Sequence, residues 1–144
     1  MNEPALIREM LEILPGRPRT LAVVGLSDRA DRPSHYVSKY MQDHGYRVLP
    51  VNPALQAVLG VPCSTSLLTL PELPDVVNVF RLPVAIPAIV DDMIRRGMTR
   101  LWVQQGIMHL QAAERAEAAG IGVVMDRCIM VEHRRLFGTG SARS

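Results

Sequence analysis

An apolar run, Leu21-Ala22-Val23-Val24, stops at Gly25 and gives way to Leu26-Ser27-Asp28-Arg29-Ala30-Asp31-Arg32-Pro33-Ser34 before a helix-period stretch begins. A glycine leaving a strand permits a tight turn, and the helix that follows presents free N–H groups at the positive end of its dipole. Such a loop can hold phosphate, with Arg29 and Arg32 as charge partners. The competing reading is a plain connection in which Ser34 only caps the helix. The length and polarity of the loop favour phosphate.

Three further apolar runs end in polar residues. Val76-Val77-Asn78-Val79 leads into Phe80-Arg81-Leu82-Pro83, where an aromatic, an arginine and a proline can sandwich a purine and hold a phosphate. A core phenylalanine beside a surface arginine is an equally good account of that motif. Leu101-Trp102-Val103 leads into Gln104-Gln105-Gly106-Ile107, two amides suited to a polar amide chain before a glycine that permits close backbone approach. Trp102 itself reads as packing. The last run ends in Asp126-Arg127-Cys128-Ile129, where Arg127 either closes over an anion or pairs with Asp126 or Glu132.

Other phosphate-binding chemistries are disfavoured by what these loops lack. The first loop has one glycine where a dinucleotide fingerprint needs three. The second strand ends in Val51-Asn52-Pro53, without the acidic residue that holds a ribose diol in NAD enzymes. No Walker A sequence is present, and no cysteines and histidines are spaced as a zinc site.

The elements that must position these residues follow one theme three times: a helix-period stretch, a glycine, then an apolar strand. The spacing predicts helices over 34–44, 85–96 and 110–119, closed by Gly45, Gly97 and Gly120, with strands at 46–51, 101–103 and 121–125. With the runs at 21–24 and 76–80 this makes five strands alternating with helices, hence an α/β fold with a parallel sheet. Right-handed crossovers then predict a Rossmann-like, doubly wound three-layer sandwich with strand order 3-2-1-4-5. An amphipathic helix over 5–14 precedes it, and the proline-bearing segment 53–74 reads as loops around a short helix. Residues 139–144 read as a frayed tail, so a single domain is expected with its core at about 20–138 and an N-terminal helical segment over 1–16.

Composition supports this picture. The 144 residues suit one domain, and at 4% aromatic content the core must be built from Val, Leu, Ile, Met and Ala. A net charge of +2, scattered along the chain, argues against nucleic acid. No signal peptide and no apolar stretch long enough to span a bilayer is visible, and Cys63 and Cys128 read as reduced thiols. A cytoplasmic location is the expectation, with a monomer or a homodimer both open.

Taken together, the strand-end motifs resemble the small bacterial and archaeal CoA-binding proteins, standalone relatives of the CoA-binding domain of the succinyl-CoA synthetase α subunit. The resemblance is carried by Ala22–Ser27, Arg32-Pro33-Ser34, His44–Val48, Val51-Asn52-Pro53, Leu59-Gly60, Val79-Phe80-Arg81, Gln105-Gly106-Ile107, Met125–Ile129 and Glu132-His133. It implies coenzyme A along the strand ends. Gly25 and Ser27 would take the phosphates, with Arg32 and Pro33 in the same loop, and Asn52 and Pro53 would edge the nucleotide pocket. Phe80, Arg81 and Pro83 would flank adenine and its phosphates, and Gln105 and Gly106 would border the pantetheine arm. The synthetase loop is richer in glycine and carries a lysine; this loop has neither, so phosphate affinity would rest on arginines.

The family histidine that carries phosphoryl groups in the synthetases lies on another domain. Here His35 and His44 fall on the first sheet-flanking helix, His109 follows the Gln-Gln-Gly turn, and His133 reads as packing. Cys128 beside Arg127 could form a mixed disulfide with a CoA thiol, against the commoner case of an inert cysteine. The expected function is therefore a non-catalytic module for CoA or an acyl-CoA. The rivals are a partner-dependent component of an acyl-CoA ligase, a nucleotide- or NAD(P)-binding redox domain, and a structural module with a vestigial pocket.

Overall fold

The computed structural model describes residues 1–138, so the expected tail at 139–144 lies outside the described residues. Its strands are β1 (Thr20–Val24), β2 (Arg47–Val51), β3 (Ala57–Val58), β4 (Val61–Pro62), β5 (Val76–Val79), β6 (Arg100–Val103) and β7 (Gly122–Val124). Its α-helices are α1 (Pro4–Leu11), α2 (Pro33–Asp43), α3 (Ile86–Arg96), α4 (Leu110–Ala118) and α5 (Ile129–Phe137).

Five strands form one parallel sheet in the order β2-β1-β5-β6-β7. Every residue of β1 and β5 is buried, as in a sheet covered on both faces. Side-chain alternation divides the core. Ala22, Val24, Val77, Val79, Leu101 and Val103 face α3 and α4. Leu21, Val23, Val76, Trp102 and Val124 face α1, α2 and α5. The α/β, Rossmann-like three-layer architecture is thus the one the periodicity predicts.

The strand order is a correction. The strand at 76–79 lies beside β1 rather than outside β2, which changes the expected 3-2-1-4-5 into 2-1-3-4-5. The outer edge of β2 is already taken: Ser64 donates its N–H to Pro50 at 3.0 Å, and Asn52 donates to Ser64 at 2.9 Å, in a parallel bridge with Val51. Pro50, which has no N–H to give, shares that outer edge, because its carbonyl accepts from Ser64 there. A central β2 would have lost a ladder bond at Pro50. The segment 53–74 is also more structured than expected. It folds into the antiparallel hairpin β3–β4, turning through Leu59 and Gly60, both at positive φ, and then a 3₁₀ turn at Leu67–Thr69.

The opposite edge is closed by the N-terminus. Asn2 brackets β7 with three bonds: N–H to Val123 O at 3.1 Å, Nδ2 to Met125 O at 2.8 Å, and Oδ1 from Met125 N–H at 2.7 Å. At the strand N-termini, buried Asp75 accepts from the Thr20 N–H at 2.9 Å, the Thr20 hydroxyl at 3.0 Å and the Arg17 guanidinium at 2.7 Å. Burial pushes its carboxyl up, but the Thr20 amide, Arg17 and the Thr20 hydroxyl outweigh that and hold it below the usual range. Asp75→Ala strands a buried N–H between β1 and β5. It is expected to lower unfolding free energy by about 2–3 kcal/mol in urea titrations at pH 7. Because the folded carboxyl is the stronger acid, the difference from the parent shrinks as pH falls through the carboxylate range.

Candidate functional site

The corrected order fixes where the chain changes direction. β1 feeds α2 on one face of the sheet and the adjacent β5 feeds α3 on the other, so the two loops diverge and leave a crevice between them. A cleft of about 840 Å³ opens there.

Gly25 forms its floor at φ +87, donating its N–H to Val51 O at 3.0 Å. A Cβ at this position would lie 2.6 Å from the Phe80 carbonyl oxygen and 3.0 Å from Arg81 Cδ. The two loops therefore touch, and only hydrogen fits between them. Beyond it, the Ser27 N–H donates to Ser34 Oγ at 3.0 Å and the Arg29 N–H to Ser27 Oγ at 3.1 Å. Ser34 is thus a brace inside the loop and not the helix cap; Arg32 occupies the N-cap of α2 and supplies no side-chain cap bond.

Of the residues singled out from the sequence, Gly25, Ser27, Arg32, Pro33, Phe80, Arg81 and Gln105 line the cleft. Asn52, Pro53, Pro83, Gly106 and Arg127 do not. Asn52 works from behind, donating Nδ2 to Leu26 O at 3.0 Å while Oδ1 accepts from the Ala54 N–H at 2.8 Å. Pro83 starts the 3₁₀ turn before α3. The Gly106 N–H is held by Asp126 Oδ1 at 2.7 Å. Arg127 donates to the Asp126 carbonyl at 3.0 Å and lies 3.8 Å from Glu132.

Residues that the motifs did not single out complete the wall. Tyr36 and Val37 come from the first turns of α2, Leu82 and Ile107 from the loops, and Met130 and Val131 from the first turn of α5. The α2 pair carried a sequence signal, since any helix that opens on a site turns its first residues toward it. The α5 pair carried none, because which helix covers the crevice is decided by packing.

Electrostatically the cleft is one-sided. Arg29, Arg32 and Arg81 line it and no Asp or Glu among the described residues does. Arg29 pairs with exposed Asp31 at 3.2 Å. The guanidinium groups of Arg32 and Arg81 have no hydrogen-bond or ion-pair partner among the described residues. A guanidinium exposed beside apolar walls and helix N-termini is a standing site for an anion.

His109 and His133 serve the scaffold. His109 caps α4, its Nδ1 accepting from the Ala112 N–H at 3.1 Å. His133 is fully buried between α2 and α5, with Nδ1 2.7 Å from the Tyr40 hydroxyl and Nε2 unpartnered. Burial first, and neighbouring His44 second, push its pKa down to about 4. The native state therefore stays neutral where the unfolded chain takes up a proton, so stability falls as pH drops from about 6.5 to about 4. The loss reaches about 3 kcal/mol at the lower end. Thermal melts between pH 7 and 4 on the parent and on His133→Phe read this, and the variant is expected to lose much of the slope. Trp102, fully buried with Nε1 donating to Arg127 O at 2.9 Å, is packing, as its sequence context indicates.

Among the described residues no helix is long and apolar enough to cross a membrane, and no group of three His, Cys, Asp or Glu side chains is placed to hold a metal.

Comparison with known proteins finds relatives over most of the chain. A family model described as a CoA binding domain matches residues 19–134. YneT of Bacillus subtilis strain 168 is 43% identical over 129 residues, covering 90% of this chain and 93% of its own. A solved structure of a hypothetical protein from Pyrococcus horikoshii OT3 superposes with a TM-score of 0.84 at 38% identity, over 92% of this chain and 90% of that one. The ADP-forming acetate–CoA ligase I of Archaeoglobus fulgidus is 24% identical over 122 residues. That match takes in 78% of this chain but only 18% of the ligase.

Proposed function

Because the chain belongs to the CoA-binding domain family, a family related to part of an ADP-forming acetate–CoA ligase, we propose that it binds coenzyme A or an acyl-CoA in the β1–β5 cleft, as a non-catalytic binding module. The observation that carries this reading is a cleft lined by three arginines and no carboxylate, two of the arginines being unpaired. A ligand with several phosphates and an apolar-tolerant arm matches it. The backbone at Gly25 and Ser27, with Arg32 and Pro33, would take phosphates; Phe80 and Arg81 would flank the adenine end; Gln105 would run beside the pantetheine arm. Asn52, Pro53, Pro83, Gly106 and Arg127 would act at one remove, by holding the loops. A cytoplasmic setting, where the coenzyme is plentiful, goes with this reading.

The partial match to the Archaeoglobus ligase favours one second reading, that the chain serves as the CoA-binding component of a larger ligase assembled with other chains. Calorimetry and thermal shift with CoA, acetyl-CoA, NAD, NADP and ADP test the proposal. Selective stabilisation by CoA or acetyl-CoA supports it, and a stronger response to NAD or none to CoA overturns it.

A further inference from the structure

Two side chains at the α5 end of the cleft are not accounted for by phosphate binding. Gln104 lines the cleft yet is only 5% exposed. Its Oε1 accepts from the Ile129 N–H at 3.1 Å, which fixes which end of the amide is oxygen and turns Nε2 the other way. That Nε2 has no hydrogen-bond partner among the described residues. An amide donor held in place through its oxygen, with its nitrogen uncommitted, is free to meet a ligand carbonyl. Directly before Ile129 stands Cys128, a free, half-buried thiol that lines the same cleft. The second cysteine, Cys63, is outside the lining, and burial, with Asp28 nearby, pushes its thiol up. The lining at the α5 end of the cleft thus includes both an uncommitted amide donor and a thiol, the two groups that a ligand arm of amide carbonyls ending in sulfur would need.

We propose that Cys128 captures the coenzyme covalently, by exchange with CoA disulfide, and that Gln104 positions the incoming arm. The inference rests on the CoA reading above. The deprotonated Cys128 sulfur attacks one sulfur of CoA disulfide; a Cys128 Sγ–S bond forms as the original S–S bond breaks. The departing CoA thiolate takes up a proton in place of the one Cys128 gave to solvent. One disulfide is consumed and one is made, so the small disulfide itself is the oxidant, and a reducing thiol reverses the step.

Intact-mass spectrometry after incubation with CoA disulfide tests this, with calorimetry of reduced CoA on the same preparation. The expected result is one CoA per chain, removed by dithiothreitol, absent in Cys128→Ser and retained in Cys63→Ser. Formation should be at least tenfold faster than with oxidised glutathione. Gln104→Glu keeps the acceptor for Ile129 but loses the donor. It should slow the adduct about tenfold while alkylation of Cys128 by iodoacetamide is unchanged. An adduct on Cys63, or equal rates with glutathione, overturns the inference. So does binding of reduced CoA without any adduct, which leaves the binding reading standing; loss of both binding and adduct overturns the two together.

Discussion

Replacing Arg32 and Arg81 together with alanine is expected to weaken CoA binding by roughly 10²- to 10⁴-fold. Each guanidinium supplies a charge-assisted hydrogen bond of about 1.5–3 kcal/mol, and tenfold in affinity is about 1.4 kcal/mol. Both side chains are exposed at the cleft and unpaired among the described residues, so removing them strands no partner in the free protein. Unfolding midpoints should therefore stay within about 0.5 kcal/mol of the parent. Calorimetric titration with CoA, beside urea denaturation of the same protein, reads both quantities. A double variant that binds CoA like the parent rules out the cleft as the phosphate site. In the parent, affinity should also fall with added salt, and the slope should flatten in the double variant as two screened contacts are lost.

Gly25→Ala is expected to act on fold and site at once. At φ +87 an alanine meets the left-handed penalty of about 1–2 kcal/mol, and its Cβ would lie 2.6 Å from the Phe80 carbonyl oxygen. That atom is backbone and cannot swing aside, so β1 and β5 must part at their carboxyl ends, an overpacking strain of about 1–3 kcal/mol more. The sum, about 2–5 kcal/mol, should appear in urea titrations, with CoA binding lost even where the variant remains folded. Gly60→Ala is the control. Gly60 also has positive φ, but a Cβ there meets nothing within 4 Å, so only the conformational penalty applies and binding persists. If Gly25→Ala and Gly60→Ala prove equally mild, the close approach of the two loops has no energetic weight.

Much of the fold could be read along the chain because its signals are local. The 3.6-residue periods of α2 and α3, the glycines that stop them, and strands buried on both faces follow from side-chain spacing and backbone sterics. The loop after β1 was legible for the same reason: glycine, serine and arginines ahead of a helix are adjacent in sequence. Strand order was less legible. Pro50 held the clue, since a residue without an N–H belongs at a sheet edge, and that edge position for β2 moves the switch point between β1 and β5. Five of the twelve candidate residues illustrate a second limit. Asn52, Pro53, Pro83, Gly106 and Arg127 sit at strand ends as the motifs require, yet none of them lines the cleft, because a side chain's direction depends on what its loop is bonded to.

What the sequence determined by itself is the α/β class, the positions of the five sheet strands and of α1 to α4 to within a few residues, and the presence of Arg32 and Arg81 in the loops that leave the strands. Those properties are set within about ten residues of chain, by steric and hydrogen-bond preferences that act locally. Tertiary structure alone decided that β5 lies against β1, that the first turn of α5 closes the cleft, and that Gln104 and Cys128 both line it. Their partners are 25 to 55 residues away along the chain, as in the bonds of Ile129 to Gln104 and of Asp75 to Thr20. Contacts at that separation are chosen by which buried faces fit and which backbone groups must be satisfied, a condition on the whole packed domain rather than on any segment of it.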